Sequence, residues 1–157
     1  SVISFPFGLD RKEEKLWQTI RALEEGAKEL DIVMNISAFK SGLYGYVEEE
    51  LKAIARNTEG AIRKVIIETA YLTEKEKAFA VELLANAGME FVKTSTGYAP
   101  AGATEEDVRL LVDLSKGRLK VKASGGIRTR EQALRFISLG AERIGTSSTF
   151  EILGGEG

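Results

Sequence analysis

Two lysines stand in strand-like runs where lysine is out of place. FVKTSTG (91–97) carries Lys93 and LKVKASGG (119–126) carries Lys122, each shortly before a glycine turn. Lysine is depleted in strands and is rarely buried unless its charge is compensated. With a free pKa near 10.4, only about one lysine in 2,500 is neutral at pH 7, and amine nucleophiles react in the neutral form. Burial and a second nearby cation both destabilise the ammonium. Lys93 in a dry interior, with Lys122 aimed at the same space, therefore has the makings of a Schiff-base nucleophile and its activator. Asp31 lies in LDIVMN (30–35) with Leu30 and Ile32 pointing the opposite way, so it can face the same interior and transfer protons with the help of water. The competing reading is a buried lysine–aspartate pair that only fixes packing, because desolvation roughly cancels attraction in such pairs.

Composition narrows the alternatives. The 157 residues include neither Cys nor His, so thiolates, disulfides, imidazole triads and the commonest metal ligand are absent from the sequence. Any catalysis has to rest on Lys, Asp, Glu, Ser, Thr or Tyr. A net charge of −2 with scattered basic residues argues against a nucleic-acid face, and no membrane span, signal peptide or lipidation motif is visible. Two glycine turns look able to take an anion: SGGIRT (124–129) and GTSS (145–148) each follow a strand and lead into a helix. Glycine permits close backbone approach, and helix N-termini present free N–H groups. Ordinary strand-to-helix turns are the alternative.

Positioning these groups falls to a regular alternation. Strand candidates at 2–5, 30–35, 63–69, 90–96, 118–124 and 141–146 recur at the length of a βα unit, with helix-period runs between them. The helical stretches are 11–28, 46–57, 73–87, 104–114, 129–139 and a short terminal TFEIL. Asp10 is a candidate N-cap, Thr73/Glu76 and Thr104/Asp107 resemble capping boxes, and Gly88 and Gly140 sit at helix ends. Trp17 and Phe79 are assigned to the core, and Lys40 to a solvated loop. Tyr98 either lines or covers a pocket. Alternation of this kind implies a parallel sheet buried on both sides. A doubly wound sheet lacks its GxGxxG fingerprint, whereas Glu68, Lys93 and Lys122 at strand C-terminal ends suit a barrel, where active residues gather on that face. Only six of a barrel's eight units are visible.

The segments VISFPFG, ELDIVMNISAFKSG, KVIIETAYLT, FVKTSTG, GATEEDVRLL, VKASGGIRT and RIGTSS together resemble the deoxyribose-phosphate aldolase family of class I aldolases. The resemblance implies an α/β fold of the (βα)8 TIM-barrel type, with the six visible units as strands three to eight of a single domain over 1–157. The first two units would precede the segment resembling VISFPFG, so strands 2–5 and 141–146 are not expected to pair. It implies a cytoplasmic, homo-oligomeric lyase that reversibly cleaves 2-deoxy-D-ribose 5-phosphate to D-glyceraldehyde 3-phosphate and acetaldehyde. No metal or cofactor is implied, and the partner is a small phosphorylated sugar. Lys93 is similar to the family's Schiff-base lysine, Lys122 to the lysine that lowers its pKa, and Asp31 to the acid of the proton relay. Thr96 matches a pocket residue near the sugar hydroxyls. Gly97, Gly125, Gly126, Gly145, Ser147 and Ser148 match the phosphate-side loops. Another lysine aldolase or a transaldolase on the same barrel, and a non-catalytic barrel fragment that binds phosphate weakly, are the competing readings.

Overall fold

A computed structural model of the chain describes residues 1–154. Strands β1 (Val2–Ile3), β2 (Glu29–Val33), β3 (Ile62–Ile66), β4 (Phe91–Lys93), β5 (Lys120–Ser124) and β6 (Arg143–Gly145) form one curled parallel sheet in chain order. Helices α1 (Lys12–Glu24), α2 (Ile36–Lys40), α3 (Tyr44–Arg56), α4 (Glu74–Asn86), α5 (Glu105–Ser115), α6 (Arg130–Ser138) and α7 (Thr149–Leu153) lie between and after them. Each strand pairs with its sequence neighbours only, so β1 and β6 are edges with no pairing between them among the described residues. The structure agrees with the expected separation of those two strands. The wall is open there.

Alternation along the strands sorts residues onto two faces. Outward-facing Leu30, Ile32, Val65, Ile67, Val92, Val121 and Ala123 pack beneath the helices, almost fully buried. The inward face carries the charges, Glu29 and Asp31 on β2, Lys64 on β3, Lys93 on β4, Lys122 on β5 and Arg143 on β6, with apolar Ile66 and Phe91 among them. The hydrophobic effect is thus spent between sheet and helices, which leaves the concave side free for polar chemistry.

The helix ends follow their sequence signals in part. Thr73 accepts a hydrogen bond from the Glu76 backbone N–H while Glu76 accepts from the Thr73 N–H, a complete capping box. Thr104 caps α5 through the Asp107 N–H. Replacing Thr73 with Ala should cost about 1 kcal/mol, the usual value of such a cap, read as a shift in the urea midpoint at unchanged slope. A midpoint identical to the parent would show that the cap contributes nothing.

Other expectations fail. Arg11, not Asp10, is the N-cap of α1, and Asp10 instead accepts from the Gln18 side chain at 2.7 Å. Trp17 is 65% exposed and Phe79 44% exposed, so neither is core. The buried line of α1 is Lys15, Thr19 and Ala22, which turns Trp17 outward. Lys15 donates to Glu50 of α3 at 2.7 Å and to the Val33 carbonyl at 2.9 Å, with both charged side chains fully buried. Half-exposed Phe79 and Tyr44 pack together over the buried ring of Phe39. Lys40 belongs to α2, not to a loop, and pairs with Glu76.

Candidate active site

Three lysines and one carboxylate meet on the concave face. Asp31 Oδ2 accepts from Lys93 Nζ and from Lys122 Nζ, both at 2.7 Å. Its other oxygen, Oδ1, accepts from Lys64 Nζ at 2.9 Å. Register makes this possible, because Asp31 lies opposite Lys64 and Lys93 opposite Lys122 in adjacent strands. Lys93 is 8% exposed and Lys64 only 2%. One layer deeper, Glu29 receives Lys64 at 2.8 Å and Arg143 at 2.7 Å, and the Arg143 pair ties β6 to β2 across the interior. Arg143 also lies 5.5 Å from the Phe91 ring centroid.

The charge count matters chemically. Lys64, Lys93, Lys122 and Arg143 set four potential cations against the carboxylates of Asp31 and Glu29. Arginine does not deprotonate, so relief of the excess falls to a lysine. Burial pushes the Lys93 ammonium below its ordinary pKa; Asp31 opposes this, and the charges of Lys122 and Lys64 add to the lowering. Burial alone would raise the Asp31 carboxyl, but hydrogen bonds from Lys122 and Lys93, with the Lys93 charge, hold it well below the usual carboxylate range. A buried amine with a lowered pKa beside a permanent carboxylate is the equipment for imine chemistry.

Lys93 opens onto a cavity of about 580 Å³ at the C-terminal ends of β4 to β6. Of the residues singled out in the sequence, Thr96, Gly97, Gly125, Gly126, Gly145 and Ser147 line it. Ser148 does not; it is the N-cap of α7, and its N–H donates to Thr146 Oγ1 at 2.9 Å. Tyr98, expected to line or cover a pocket, lines this one, and Ser124, Arg128 and Thr146, which the sequence did not single out, line it too. The sequence signal for Arg128 was in view inside SGGIRT. Tyr98 is 75% exposed at the rim, with its ring edge-on to Phe5 at 5.6 Å.

Two glycines have local reasons to be glycine. Gly125 has φ +90°, and a Cβ there would come within 2.9 Å of the Gly102 Cα. A Cβ on Gly145 would reach 2.8 Å from the Ser124 Cβ and 3.3 Å from Lys122 Cε, so its absence makes room for the Lys122 side chain. Lys64 is the site member that sequence reading missed. In the sequence it has the same alternation parity as Glu68, four residues on, and that parity was the available signal.

The family model described as DeoC/LacD family aldolase matches residues 5–148. The deoxyribose-phosphate aldolase of Aquifex aeolicus is 55% identical over 151 residues, which cover 96% of this chain and 69% of that protein. Its counterpart from Thermococcus kodakarensis is 52% identical over 157 residues, covering 99% and 70%. Among solved structures, an aldolase called QR15 superposes with a TM-score of 0.95 at 54% identity, covering 98% of this chain and 69% of that one. A structure described as a unique tetrameric deoxyribose phosphate aldolase from Aeropyrum pernix gives 0.91 at 38% identity, covering 98% and 65%.

Proposed function

From the premise that this chain belongs to the DeoC/LacD aldolase family, we propose that it cleaves 2-deoxy-D-ribose 5-phosphate, reversibly, to D-glyceraldehyde 3-phosphate and acetaldehyde. The observation that carries this reading is the pair of lysines on one oxygen of Asp31, with Lys93 facing a polar, glycine-lined cavity. The neutral Lys93 amine adds to the C1 aldehyde of the open-chain sugar, and loss of water gives an iminium. The C3 hydroxyl then gives up its proton as the C2–C3 bond breaks, and the bond pair flows into the iminium. D-glyceraldehyde 3-phosphate leaves, and an enamine stays on Lys93. Protonation of the enamine at carbon and hydrolysis release acetaldehyde and restore the amine. Asp31 and Lys122 pass these protons, a role supported by their shared hydrogen bond. Gly97, Gly125, Gly126, Gly145 and Ser147 hold the phosphorylated end, and Thr96 lines the pocket near the sugar hydroxyls. A cytoplasmic site of action and a homo-oligomeric assembly belong to the same proposal; the tetrameric description of the Aeropyrum pernix relative supports the assembly. Among the described residues no helix is long and apolar enough to cross a membrane.

A coupled assay for acetaldehyde release tests the reaction: turnover of 2-deoxy-D-ribose 5-phosphate should exceed that of 2-deoxy-D-ribose by at least about tenfold in kcat/KM, a modest 1.4 kcal/mol for the phosphate contacts. Equal rates for the two sugars would remove the phosphate side of the proposal.

The activating role of Lys122 makes a separate prediction. Lys122→Leu removes a positive charge that lowers the Lys93 pKa. It also frees Asp31 Oδ2 to serve Lys93 alone. Both effects raise the Lys93 pKa, so imine formation near pH 7 should slow about tenfold for each unit of rise, and the pH–rate curve should move to the alkaline side. A curve that overlays the parent would refute the role.

A further inference from the structure

Beside the lysine cluster, β3 ends abnormally. The Ile67 N–H donates to the Lys93 carbonyl at 3.1 Å and the Thr69 N–H to the Thr94 carbonyl at 2.9 Å. Donors two residues apart thus meet acceptors one residue apart, so an extra residue is inserted opposite β4. That residue is Glu68, which has φ +52° and ψ +71°. A non-glycine residue in the left-handed region is strained, and such strain, like a bulge, gathers near functional sites where it re-aims a side chain. The re-aimed group here is a carboxylate only 3% exposed.

Its partners all lie in the loop after β4. The Thr96 N–H donates to Glu68 Oε1 at 3.2 Å and Oε2 at 3.3 Å, and the Thr96 hydroxyl donates to Oε2. The Tyr98 N–H in turn donates to Thr96 Oγ1 at 3.1 Å. Gly97, with φ +93°, turns the chain between them. Thr96, Gly97 and Tyr98 are the wall that the Lys93 cavity shares with the loops after β5 and β6. A buried anion accepting charge-assisted bonds from both the backbone and the side chain of one residue fixes that residue firmly. No salt bridge to Glu68 is present among the described residues, so its bonding is spent on this loop.

We infer that Glu68 is a positioning residue for the phosphorylated substrate: it presets the Thr96–Tyr98 wall through the Thr96 N–H and hydroxyl without touching the reacting atoms at Lys93. This rests on the function proposed above. It separates two duties on neighbouring strands, with β4 supplying the amine and the end of β3 supplying the shape of the binding wall.

The test uses Glu68→Gln and Glu68→Gly. Gln keeps the size and one acceptor oxygen but loses the charge. Gly relieves the left-handed backbone while removing the carboxylate, so it is expected to fold even if other replacements do not. Amide hydrogen exchange at Thr96 and Tyr98 should accelerate at least tenfold in Glu68→Gly and less in Glu68→Gln, whatever the catalytic state of the protein. With 2-deoxy-D-ribose 5-phosphate, KM should rise about tenfold in Glu68→Gly while kcat changes less than threefold. Unchanged exchange at those two amides overturns the inference, as does a fall in kcat at constant KM. Should the parent itself fail to cleave the phosphorylated sugar, the proposed reaction falls, and the exchange measurement still decides whether Glu68 orders the loop.

Discussion

A Lys93→Ala protein treated with acetaldehyde and borohydride should gain no covalent adduct, where the parent gains one per active chain. Its turnover should fall by roughly three orders of magnitude or more, the scale of losing a nucleophile on which a whole mechanism depends. The argument rests on three facts about one amine. Lys93 is nearly buried, its pKa is pushed down, and it opens onto the cavity. Lys64 is more deeply buried and is committed to Glu29 and Asp31, while Lys122 is the more exposed partner of Asp31. Lys93→Arg sharpens the test, because it keeps a cation for Asp31 but cannot supply a neutral amine near pH 7. If charge alone mattered, the Arg variant would retain activity; it should instead be as inert as the Ala variant. Neither change should unfold the protein, since each leaves Lys64 and Lys122 to neutralise Asp31. Stoichiometric labelling of Lys93→Ala would move the nucleophile to another lysine.

How much of this was legible in the sequence depended on whether the signal was local. The Lys93–Lys122–Asp31 cluster was legible because strand alternation fixes a face from a few neighbours, and parallel register then brings the three together. Lys64 obeys the same parity but sits in IRKVI, a run whose apolar residues read as uniformly buried and whose lysine drew no notice. Glu68 was noticed as a strand end, yet nothing in the sequence marks its left-handed backbone, which is usual for glycine and rare for glutamate. On the helix layer, Leu16, Leu23 and Ala27 pack against the core as their apolar character suggests, but the fully buried seam of α1 carries Lys15 against Glu50, thirty-five positions away. No local pattern predicts a buried ion pair whose partner comes from a different helix. Ser148 stands one residue beyond the cavity wall, where the backbone turns into α7.

Asp31→Asn should be the most destabilising single change in the site, costing about 3–5 kcal/mol near pH 7, the range for removing one partner of a buried ion pair. Three lysines meet on this carboxylate, and none of the described residues offers a second anion to Lys93 or Lys122. In the parent, the folded pKa of Asp31 is depressed, so its contribution is in place above the unfolded value near 3.9 and is lost as pH falls through the lower folded value. In Asp31→Asn, Lys93 loses the carboxylate that opposes its burial and is driven further below its unfolded pKa near 10.4. The unfolded chain then binds more protons than the native one throughout the interval between those values, so the stability of the variant climbs as pH rises through it. The deficit relative to the parent should therefore be largest at pH 5–7 and shrink toward pH 10, which urea unfolding at two pH values can read. Chemistry should move the other way. A less protonated Lys93 forms its imine readily at pH 6, while turnover collapses because the proton carrier is gone. A stability loss below about 1 kcal/mol, or one equal at pH 6 and pH 9.5, would mean that the cluster is solvated well enough to do without Asp31, and that the lowering of the Lys93 pKa has some other source.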